Sequence, residues 1–310
     1  MIQKTKSRIV ITGAAGWLGR SLINVLVEIL GQDCLKQLEL YGSRERWIKL
    51  KSGQNVFIRN LSSFNSSGDI ELFAPFAFMT QEKMNSQSKE SYIQANEYLI
   101  NCHQKIIESS SINSAITFSS GIVSFEPFTL NRPDSFWTYR DLKRVEEDKY
   151  LELFSRHGVT YSSCRLFSIS GSEMKDPLKY ALGNLISQAV LEKKIVVESP
   201  MLVFRKYVDA EQLCRILFLL TTSGRNTFFE SSGEKIEVGL LANLVAEHFS
   251  ISSDKVSVPE RRENLSDDYF SVDPSMEEFF AIYGLDRFDI KTQIGNTAAG
   301  LENSEILKNA

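Results

Sequence analysis

Two side chains spaced four residues apart, Tyr139 and Lys143, have the clearest potential for proton transfer in this sequence. They follow Pro133 in a segment with a helix start signal, and their spacing puts them one turn apart on one helix face. A phenol titrates at about 10, and a nearby ammonium group favours the phenolate. We therefore expect Lys143 to lower the pKa of Tyr139, which would act as general acid/base. A hydroxyl group at the end of the preceding predicted strand, Ser120 or Ser119, would bind the reacting oxygen.

A glycine-rich turn lies near the start of the chain. Gly13, Gly16 and Gly19 follow the apolar run Ile9–Ile11, and apolar positions with a helical period come after them. Gly13 permits a tight turn, Gly16 allows the backbone to approach a ligand, and Gly19 allows the helix to pack closely on the strand. The N–H groups of the first helical turn would then bind a pyrophosphate. An ordinary strand-helix turn is the alternative, which its position at the start of an α/β chain disfavours.

The end of the second predicted strand, Leu38–Tyr41, bears on the identity of a dinucleotide. This strand end faces the adenosine ribose in dinucleotide-binding folds, where an acidic side chain commonly binds the ribose hydroxyls. Here Ser43 and Arg44 follow instead, and a guanidinium group suits a 2′-phosphate. This favours NADP(H), with NAD(H) as the alternative. If Arg44 and Arg46 belong to a solvated loop, they carry no such preference.

Composition excludes several classes of function. The chain has 310 residues, of which 43% are hydrophobic and 24% charged, as in globular proteins of one large domain or two. A net charge of −4 provides no basic surface for nucleic acid. No apolar run reaches the length of a membrane span, and the stretch after Lys4, Lys6 and Arg8 is a core strand rather than a signal peptide. We expect a cytoplasmic protein.

Cysteine and histidine usage argues against disulfides and metals. The four cysteines are far apart in sequence, which predicts free thiols in a reducing compartment. The three histidines each stand alone, without a second ligand at metal spacing, and we predict no metal site.

Predicted strands and helices alternate from the N-terminus to a sixth strand ending at Phe167, which favours a parallel sheet covered on both faces. The fourth strand is predicted over Phe73–Met79, and Arg205 is predicted to lead into a helix that begins at Ala210. The last stretch, Thr292–Ala310, is polar without an apolar period and is predicted to be a frayed tail.

The segment Thr12–Gly19 matches the pattern TGxxGxxG, and Ser119-Ser120, Tyr139 and Lys143 match a serine, tyrosine and lysine set. With these motifs the chain resembles the extended short-chain dehydrogenase/reductases, the NAD(P)-dependent epimerase/dehydratase family of nucleotide-sugar enzymes, over nearly its whole length. The resemblance implies an α/β fold: a Rossmann-type, doubly wound parallel sheet with a smaller mixed α/β substrate domain. Residues 1–168 would bind the dinucleotide, with 205–230 returning to this domain. Residues 169–204 and 231–310 would bind substrate.

The resemblance also assigns site residues outside these motifs. Asn96 resembles an asparagine of the family's long helix, Asn184 one that touches the sugar-nucleotide diphosphate, and Arg205 one that meets the nucleotide phosphates. Arg262, or Arg261, stands where a second such arginine often occurs. The predicted cofactor-binding residues are Gly13, Ala15, Gly16, Trp17, Leu18, Gly19, Ser43, Arg44, Asn60, Asn96, Tyr139 and Lys143. The predicted substrate-binding residues are Ser119, Ser120, Asn184, Arg205 and Arg262, and the predicted catalytic residues are Ser120, Tyr139 and Lys143.

The sequence departs from the family pattern at three places, and the first of them disfavours one type of reaction. Gly121-Ile122 stands where 4,6-dehydratases carry an Asp-Glu pair, so elimination of water lacks its acid and base. Phe78-Met79-Thr80 replaces the usual His-Leu-Ala, and Ser168 replaces an asparagine. These two changes lie near the expected nicotinamide and substrate.

The leading hypothesis is hydride transfer between a nicotinamide and a nucleotide-activated sugar, as 4-keto reduction or 4-epimerisation. Tyr139 would be the acid/base, Lys143 would hold the nicotinamide ribose, and Ser120 would bind the reacting oxygen. One alternative is a reductase of a small aldehyde or ketone without a nucleotide. Another is an NADP-binding sensor without turnover. A homodimer is compatible with the family resemblance.

Overall fold

The computed structural model describes residues 8–65, 68–126, 132–260 and 262–302. The chain forms two compact units, one of Met1–Leu166 with Cys214–Phe229 and one of Phe167–Leu213 with Glu230–Ala310. Each unit is described by itself below. The sequence predicts a division at residue 168 with a return over 205–230. That one part binds the dinucleotide and the other the substrate stays a prediction.

The described residues form fourteen strands and eight α-helices. The strands are β1 (Arg8–Thr12), β2 (Leu38–Gly42), β3 (Arg46–Lys49), β4 (Asn55–Asn60), β5 (Ile70–Pro75), β6 (Ile112–Ser120), β7 (Thr160–Leu166), β8 (Ser168–Ser170), β9 (Ile195–Val196), β10 (Met201–Asp209), β11 (Thr227–Glu230), β12 (Glu234–Glu237), β13 (Val256–Ser257) and β14 (Arg262–Asp268). The helices are α1 (Trp17–Leu30), α2 (Lys89–Ser109), α3 (Asp134–His157), α4 (Ala181–Leu191), α5 (Ala210–Thr222), α6 (Val238–His248), α7 (Ser275–Ile282) and α8 (Ile290–Glu302).

An eight-stranded sheet forms the first unit, in the order β11-β7-β6-β5-β1-β2-β4-β3. The pairs from β7 through β4 are parallel, and β3 pairs with β4 in antiparallel fashion. The chain order reverses at β1, which lies between β2 and β5. In open parallel sheets, such a reversal leaves a crevice at the carboxyl ends of the two strands, where ligands bind. The predicted doubly wound sheet is confirmed, and its crevice follows Thr12 and Pro75.

Hydrophobic burial fixes β1 and α1 in the first unit. Val10 and Ile11 of β1 are fully buried, and so are Leu22 and Leu26 on one face of α1. This is the alternation of an extended buried core strand with an amphipathic helix that the sequence period predicts. The long helix α3 behaves differently, because its buried face includes the charged residues Lys143, Glu146 and Glu147. An apolar period alone would therefore not predict the buried face of this helix.

The second unit has its own small sheet around β10. Strand β12 pairs with β10 in antiparallel fashion, whereas β14 and β8 pair with it in parallel. A separate two-stranded ladder joins β9 and β13. The segment that leads into α5 is strand β10, and the fourth predicted strand ends at Pro75 instead of Met79. The residues after Pro75 leave the sheet at the crevice.

The predicted frayed tail over Thr292–Ala310 is wrong for the residues that the structure describes, since helix α8 runs to Glu302. Its buried positions follow a helical period, but they include polar Gln293 and Thr297. Gln293 accepts a hydrogen bond from Ser170 Oγ at 2.7 Å and donates to Tyr207 O at 3.3 Å and to Phe288 O at 3.0 Å. A search for apolar periodicity misses a helix that is held by buried hydrogen bonds. Residues 303–310 lie outside the described part.

No helix among the described residues is long and apolar enough to cross a membrane. The four cysteines are free thiols, and Cys34, Cys164 and Cys214 are buried.

The substitution Gln293→Leu tests the role of α8. It leaves Ser170 Oγ and two backbone carbonyl groups without their partner in the core, so we expect a loss of about 3 kcal/mol in the free energy of unfolding. Denaturant unfolding followed by circular dichroism measures this loss. Lys291→Gln is the control, because Lys291 makes only an exposed ion pair with Glu247 and its removal leaves stability almost unchanged. Equal effects of the two substitutions would show that α8 is not an integral part of the core.

Candidate active site

The glycine-rich turn closes tightly at the carboxyl end of β1. Gly13 has φ of +62°, and a Cβ atom there would lie 2.7 Å from the backbone carbon of Phe76. A Cβ atom at Gly19 would lie 2.6 Å from the Gly13 carbonyl oxygen, which also accepts a 2.8 Å hydrogen bond from Gly16 N. Only glycine fits these two positions without displacing the backbone. The turn can therefore be tight, and α1 begins directly after it, at the crevice.

A cleft of about 430 Å³ opens beside this turn. Five of the predicted cofactor residues line it, namely Gly13, Ala15, Gly16, Ser43 and Asn60. The other lining residues are Gly42, Arg46, Leu61, Ser62, Phe76, Ala77, Phe78, Met79, Tyr98 and Leu99. The cleft thus runs from the glycine turn to the ends of β2 and β4 on one side and to the segment after β5 on the other. A dinucleotide needs a groove of this kind across the chain reversal.

Several predicted cofactor residues do not line this cleft. Trp17, Leu18, Gly19, Arg44, Asn96, Tyr139 and Lys143 are absent from its lining. Arg46, at the start of β3, lines the cleft, whereas the predicted Arg44 does not. The reason is the β3–β4 hairpin, which the sequence analysis did not predict and which directs the chain back after Ser43. The segment Phe76–Met79 was also missed, although its position directly after β5 could have indicated it.

Two asparagines from the predicted set organise backbone around the cleft. Asn60 Oδ1 accepts from Ser62 N at 2.9 Å, and Asn60 Nδ2 donates to Ser43 O at 3.3 Å, which ties the end of β4 to the end of β2. Asn96 is fully buried, accepts from Met79 N at 2.8 Å and donates to Met79 O at 3.3 Å. Asn96 therefore holds the segment after β5 in place.

The predicted proton-transfer pair lies on α3 and meets the segment after β5 through Phe78. The Lys143 ammonium nitrogen is 3.9 Å from the Phe78 ring centroid, and the Tyr139 ring is 6.0 Å from the same ring. Lys143 Nζ also donates to Phe118 O at 3.3 Å and to Glu146 Oε2 at 2.6 Å. Phe78 therefore lines the cleft and also contacts Tyr139 and Lys143.

The expected lowering of the Tyr139 pKa is not what the structure shows. Burial raises the pKa of the Tyr139 phenol, the Ser120 hydroxyl lowers it by hydrogen bonding, and the charges of Glu146 and Glu82 raise it further. The Lys143 ammonium is itself paired with the Glu146 carboxylate. The raised pKa suits Tyr139 to donate a proton.

Ser119 and Ser120 end strand β6, next to Arg165 and Leu166 of β7. Both serines are buried. Ser119 Oγ has no hydrogen-bond partner among the described residues, whereas Ser120 interacts with Tyr139. Ser120 is thus the serine that the structure brings to the phenol.

The predicted substrate residues of the second unit have partners of their own. Asn184, on α4, accepts from Gln188 Nε2 at 2.8 Å. Arg205, on β10, donates from Nη2 to Asp267 Oδ2 at 2.9 Å and lies 5.7 Å from the Tyr269 ring centroid. Arg262 begins β14, but its side chain lies outside the described part of the structure, as does the whole of Arg261.

Comparisons with known proteins support the fold. Neither a scan against protein-family models nor a search of curated proteins finds a match. MoeE5 in complex with UDP-glucose and NAD is 16% identical with a TM-score of 0.68, over 96% of this chain and 99% of that chain. WbmF of Bordetella bronchiseptica, in complex with NADH, is 12% identical with a TM-score of 0.71, over 98% and 94%. UDP-glucose 4-epimerase of Thermotoga maritima, with UDP-glucose, is 16% identical with a TM-score of 0.65, over 95% and 98%.

These solved structures share one architecture, a Rossmann-type α/β fold, and the similarity extends over nearly the full length of each chain. The predicted fold class is confirmed, and so is the resemblance in fold to the nucleotide-sugar epimerases and dehydratases. At identities of this size, substrate and reaction depend on the residues of the site itself.

Gly13→Ala and Gly31→Ala together test whether the turn is closed by backbone contact. Gly31 also has a positive φ, of +79°, but a Cβ atom there meets nothing within 4 Å. Alanine at Gly31 should cost about 1 kcal/mol in the free energy of unfolding, from backbone strain alone. Alanine at Gly13 adds the clash with Phe76 and should cost at least about twice as much. Equal losses in thermal or denaturant unfolding would contradict the close approach of Gly13 to the segment after β5.

Proposed function

We propose that this protein is an NAD(P)-dependent oxidoreductase that reduces a carbonyl group of a nucleotide-activated sugar, with Tyr139 as general acid. The observation that carries the proposal is the position of Phe78, which lines the cleft and also contacts both Tyr139 and Lys143. A proton donor beside a dinucleotide cleft is what carbonyl reduction requires. The raised pKa of the Tyr139 phenol supports its role as the proton donor of the reduction.

The cleft fits a nicotinamide dinucleotide. Gly13 and Gly16 bring backbone N–H groups and the start of α1 to its edge, where a pyrophosphate would bind. Ser43, Arg46 and Asn60 would surround the adenosine ribose. When bound, the nicotinamide supplies the hydride for the reaction. MoeE5 and WbmF were solved with NAD and NADH, which supports a nicotinamide cofactor of this kind.

The proton step uses three side chains of the first unit. The Tyr139 hydroxyl donates its proton to the carbonyl oxygen as this becomes an alcohol oxygen, and the Ser120 hydroxyl holds that oxygen by a hydrogen bond. The phenolate that remains lies one helical turn from the Lys143 ammonium, whose charge is partly offset by its ion pair with Glu146.

We also propose that NADP(H) is preferred to NAD(H), through Arg46 rather than Arg44. Arg46 and Ser43 both line the cleft, and Arg46 is exposed, so that its guanidinium could bind a 2′-phosphate. An acidic residue that would bind the ribose hydroxyls and repel this phosphate is absent from the lining residues of the described cleft.

The substrate class rests on the second unit. Asn184 and Arg205 are proposed to bind the nucleotide diphosphate, and UDP-glucose in MoeE5 and in the Thermotoga maritima epimerase supports a nucleotide sugar. Arg205 would have to exchange Asp267 for a phosphate group. A dehydratase is disfavoured, because Gly121 and Ile122 follow Ser120 and neither side chain can act as acid or base.

A reductase of a small carbonyl compound without a nucleotide is the second candidate. The ion pair between Arg205 and Asp267 favours it, since the guanidinium already has a counter-charge at 2.9 Å. Thermal-shift assays with the cofactor and a panel of nucleotides and nucleotide sugars distinguish the two. Stabilisation by a nucleoside diphosphate supports the first candidate, and stabilisation by the cofactor alone supports the second.

The substitution Tyr139→Phe tests the proposed acid. It removes the proton donor while it preserves the ring that packs on Phe78, and we expect a loss of roughly 10³-fold in kcat for reduction of a nucleotide 4-ketosugar. Cofactor binding, measured by fluorescence titration of the reduced nicotinamide, should change less than about twofold. Turnover that survives at the wild-type rate would assign the acid to another group.

Arg46→Gln and Arg44→Gln form a matched pair that tests the cofactor preference. Loss of the guanidinium at Arg46 should raise the KM for NADPH about tenfold and leave that for NADH nearly unchanged, because only NADPH carries the 2′-phosphate. Arg44→Gln removes the same charge outside the cleft lining and should affect neither cofactor. Tighter binding of NADH than of NADPH by the unsubstituted protein would refute the preference.

A further inference from the structure

A row of buried polar side chains connects the catalytic lysine to the glycine-rich turn. Lys143 Nζ lies 2.6 Å from Glu146 Oε2, and Glu146 is hydrogen-bonded to Tyr150 one turn further along α3. Tyr150 Oη contacts His103 Nδ1 on α2, and His103 Nε2 lies 2.8 Å from Thr12 Oγ1 at the end of β1. All five residues are at least nine-tenths buried. The proposed reaction does not by itself require any of the last four.

The number of protons on each group determines which group donates and which accepts in each hydrogen bond of this row. With Glu146 ionised, as its ion pair with Lys143 requires, Tyr150 donates its one hydroxyl proton to Glu146, and its oxygen then accepts from His103 Nδ1–H. Burial lowers the pKa of His103 to about 3, with a smaller effect from the Lys143 charge, and the ring is neutral at neutral pH. A neutral ring protonated on Nδ1 must accept at Nε2, from the Thr12 hydroxyl.

The row extends into the cleft at its far end. Thr12 Oγ1 accepts a hydrogen bond from Ala77 N at 3.1 Å, and Ala77 lines the cleft next to Phe78. Every hydrogen bond from Ala77 N–H through Thr12, His103 and Tyr150 therefore points towards the Glu146 carboxylate. Lys143 donates to this carboxylate from the opposite side. Aligned donors of this kind stabilise a buried negative charge.

We propose that Glu146 is a positioning residue for the proton-transfer site: it fixes and offsets the Lys143 ammonium, and the Tyr150–His103–Thr12 row anchors it to the cofactor cleft. The inference rests on the proposed function, because it assigns Glu146 a role relative to Tyr139 and Lys143. It goes further by making an additional carboxylate responsible for the pH at which Tyr139 ionises. Without this carboxylate, the full lysine charge would act on the phenol one turn away.

The neighbours of Glu146 and Tyr139 come from three elements. Burial raises the pKa of Glu146 and the Glu147 charge adds to this, whereas the Lys143 charge and hydrogen bonds from Lys143 and Tyr150 oppose it. The titratable groups that act on the two residues are Lys143, Glu147 and Tyr150 on α3, Tyr92 on α2 and Glu82 before α2. Cys102 acts on Tyr150 and Lys143 acts on His103, which extends the set along α2. Among these described neighbours, Lys143 is the cation closest to both.

Glu147 provides a matched control. It is the adjacent residue, equally buried, and it makes a two-pronged ion pair with Arg165 at 2.6 and 2.9 Å. Replacing Glu147 by Gln therefore removes the same charge from a buried pair on the same helix. The two substitutions differ in which cation loses its partner.

The first experiment tests the direction of the row without any substrate. In protein labelled with ¹⁵N-histidine, we expect His103 to be neutral and protonated on Nδ1 at the pH values at which exposed histidines titrate. His157 and His248 are exposed and serve as internal references, and His103→Leu identifies the His103 signals. A proton on Nε2, or titration of His103 together with the two references, would contradict the assigned donors and acceptors of the row.

The second experiment measures the ionisation of Tyr139 as the difference in tyrosinate absorbance between each protein and its Tyr139→Phe counterpart. In Glu146→Gln the lysine charge is no longer offset, so Tyr139 should ionise at lower pH, with an ionisation constant raised about tenfold. Glu147→Gln should leave the titration unchanged although it also lowers the melting temperature. An unchanged titration in Glu146→Gln, as expected if Glu146 is protonated in the native protein, would refute the proposal.

Turnover then separates this proposal from the proposed function. If the protein is a reductase, the high-pH decline of kcat should move to lower pH in Glu146→Gln and stay in place in Glu147→Gln, because reduction requires the protonated phenol. If no nucleotide sugar or small carbonyl compound is turned over, the proposed function fails, while the tautomer and absorbance titrations still decide the role of Glu146.

Discussion

A buried ammonium group needs a counter-charge, and much of the first unit is arranged around that need. Moving a charge out of water costs several kcal/mol unless partners and hydrogen bonds replace the solvent. Lys143 obtains a carboxylate, a backbone carbonyl and the face of an aromatic ring. The carboxylate in turn needs donors, which α2 and β1 supply from within the core. A charged group on one helix thereby fixes the relative positions of three elements.

The fold could be predicted from the sequence to a large extent, because its main determinants are local. Apolar runs, glycines at defined spacing and helix start signals each act over a few residues, and they locate β1, α1 and the α3 segment correctly. Helix α8 escaped prediction because Gln293 and Thr297 occupy positions in its buried stripe. The strand that carries Arg205 escaped because its partners lie far away in sequence.

The residues of the candidate site likewise fall into those that local spacing predicts and those that it does not. Gly13, Gly16, Tyr139 and Lys143 could be found because their spacing carries the chemistry. Arg46 was not identified, because the sequence analysis did not predict the β3–β4 hairpin, in which Lys49 pairs with Asn55. Neither was the effect of Glu146 on Tyr139: the motif Tyr-x-x-x-Lys indicates a cation near the phenol but is silent on whether that cation is already neutralised. Phe78 lines the cleft and contacts both Tyr139 and Lys143.

The hydrogen bonds of α8 join residues of the second unit that are far apart in sequence. Ser170 and Gln293 are 123 residues apart, and Gly171 N donates to Thr297 across 126 residues. Gly300 approaches Ser172 so closely that a Cβ atom would lie 2.0 Å from its carbonyl oxygen. During synthesis on the ribosome, β8 must therefore wait for more than a hundred further residues before its loop finds its partners. The first unit extends no further than Phe229, so all of it is synthesised before Gln293 and Thr297, on which the second unit depends.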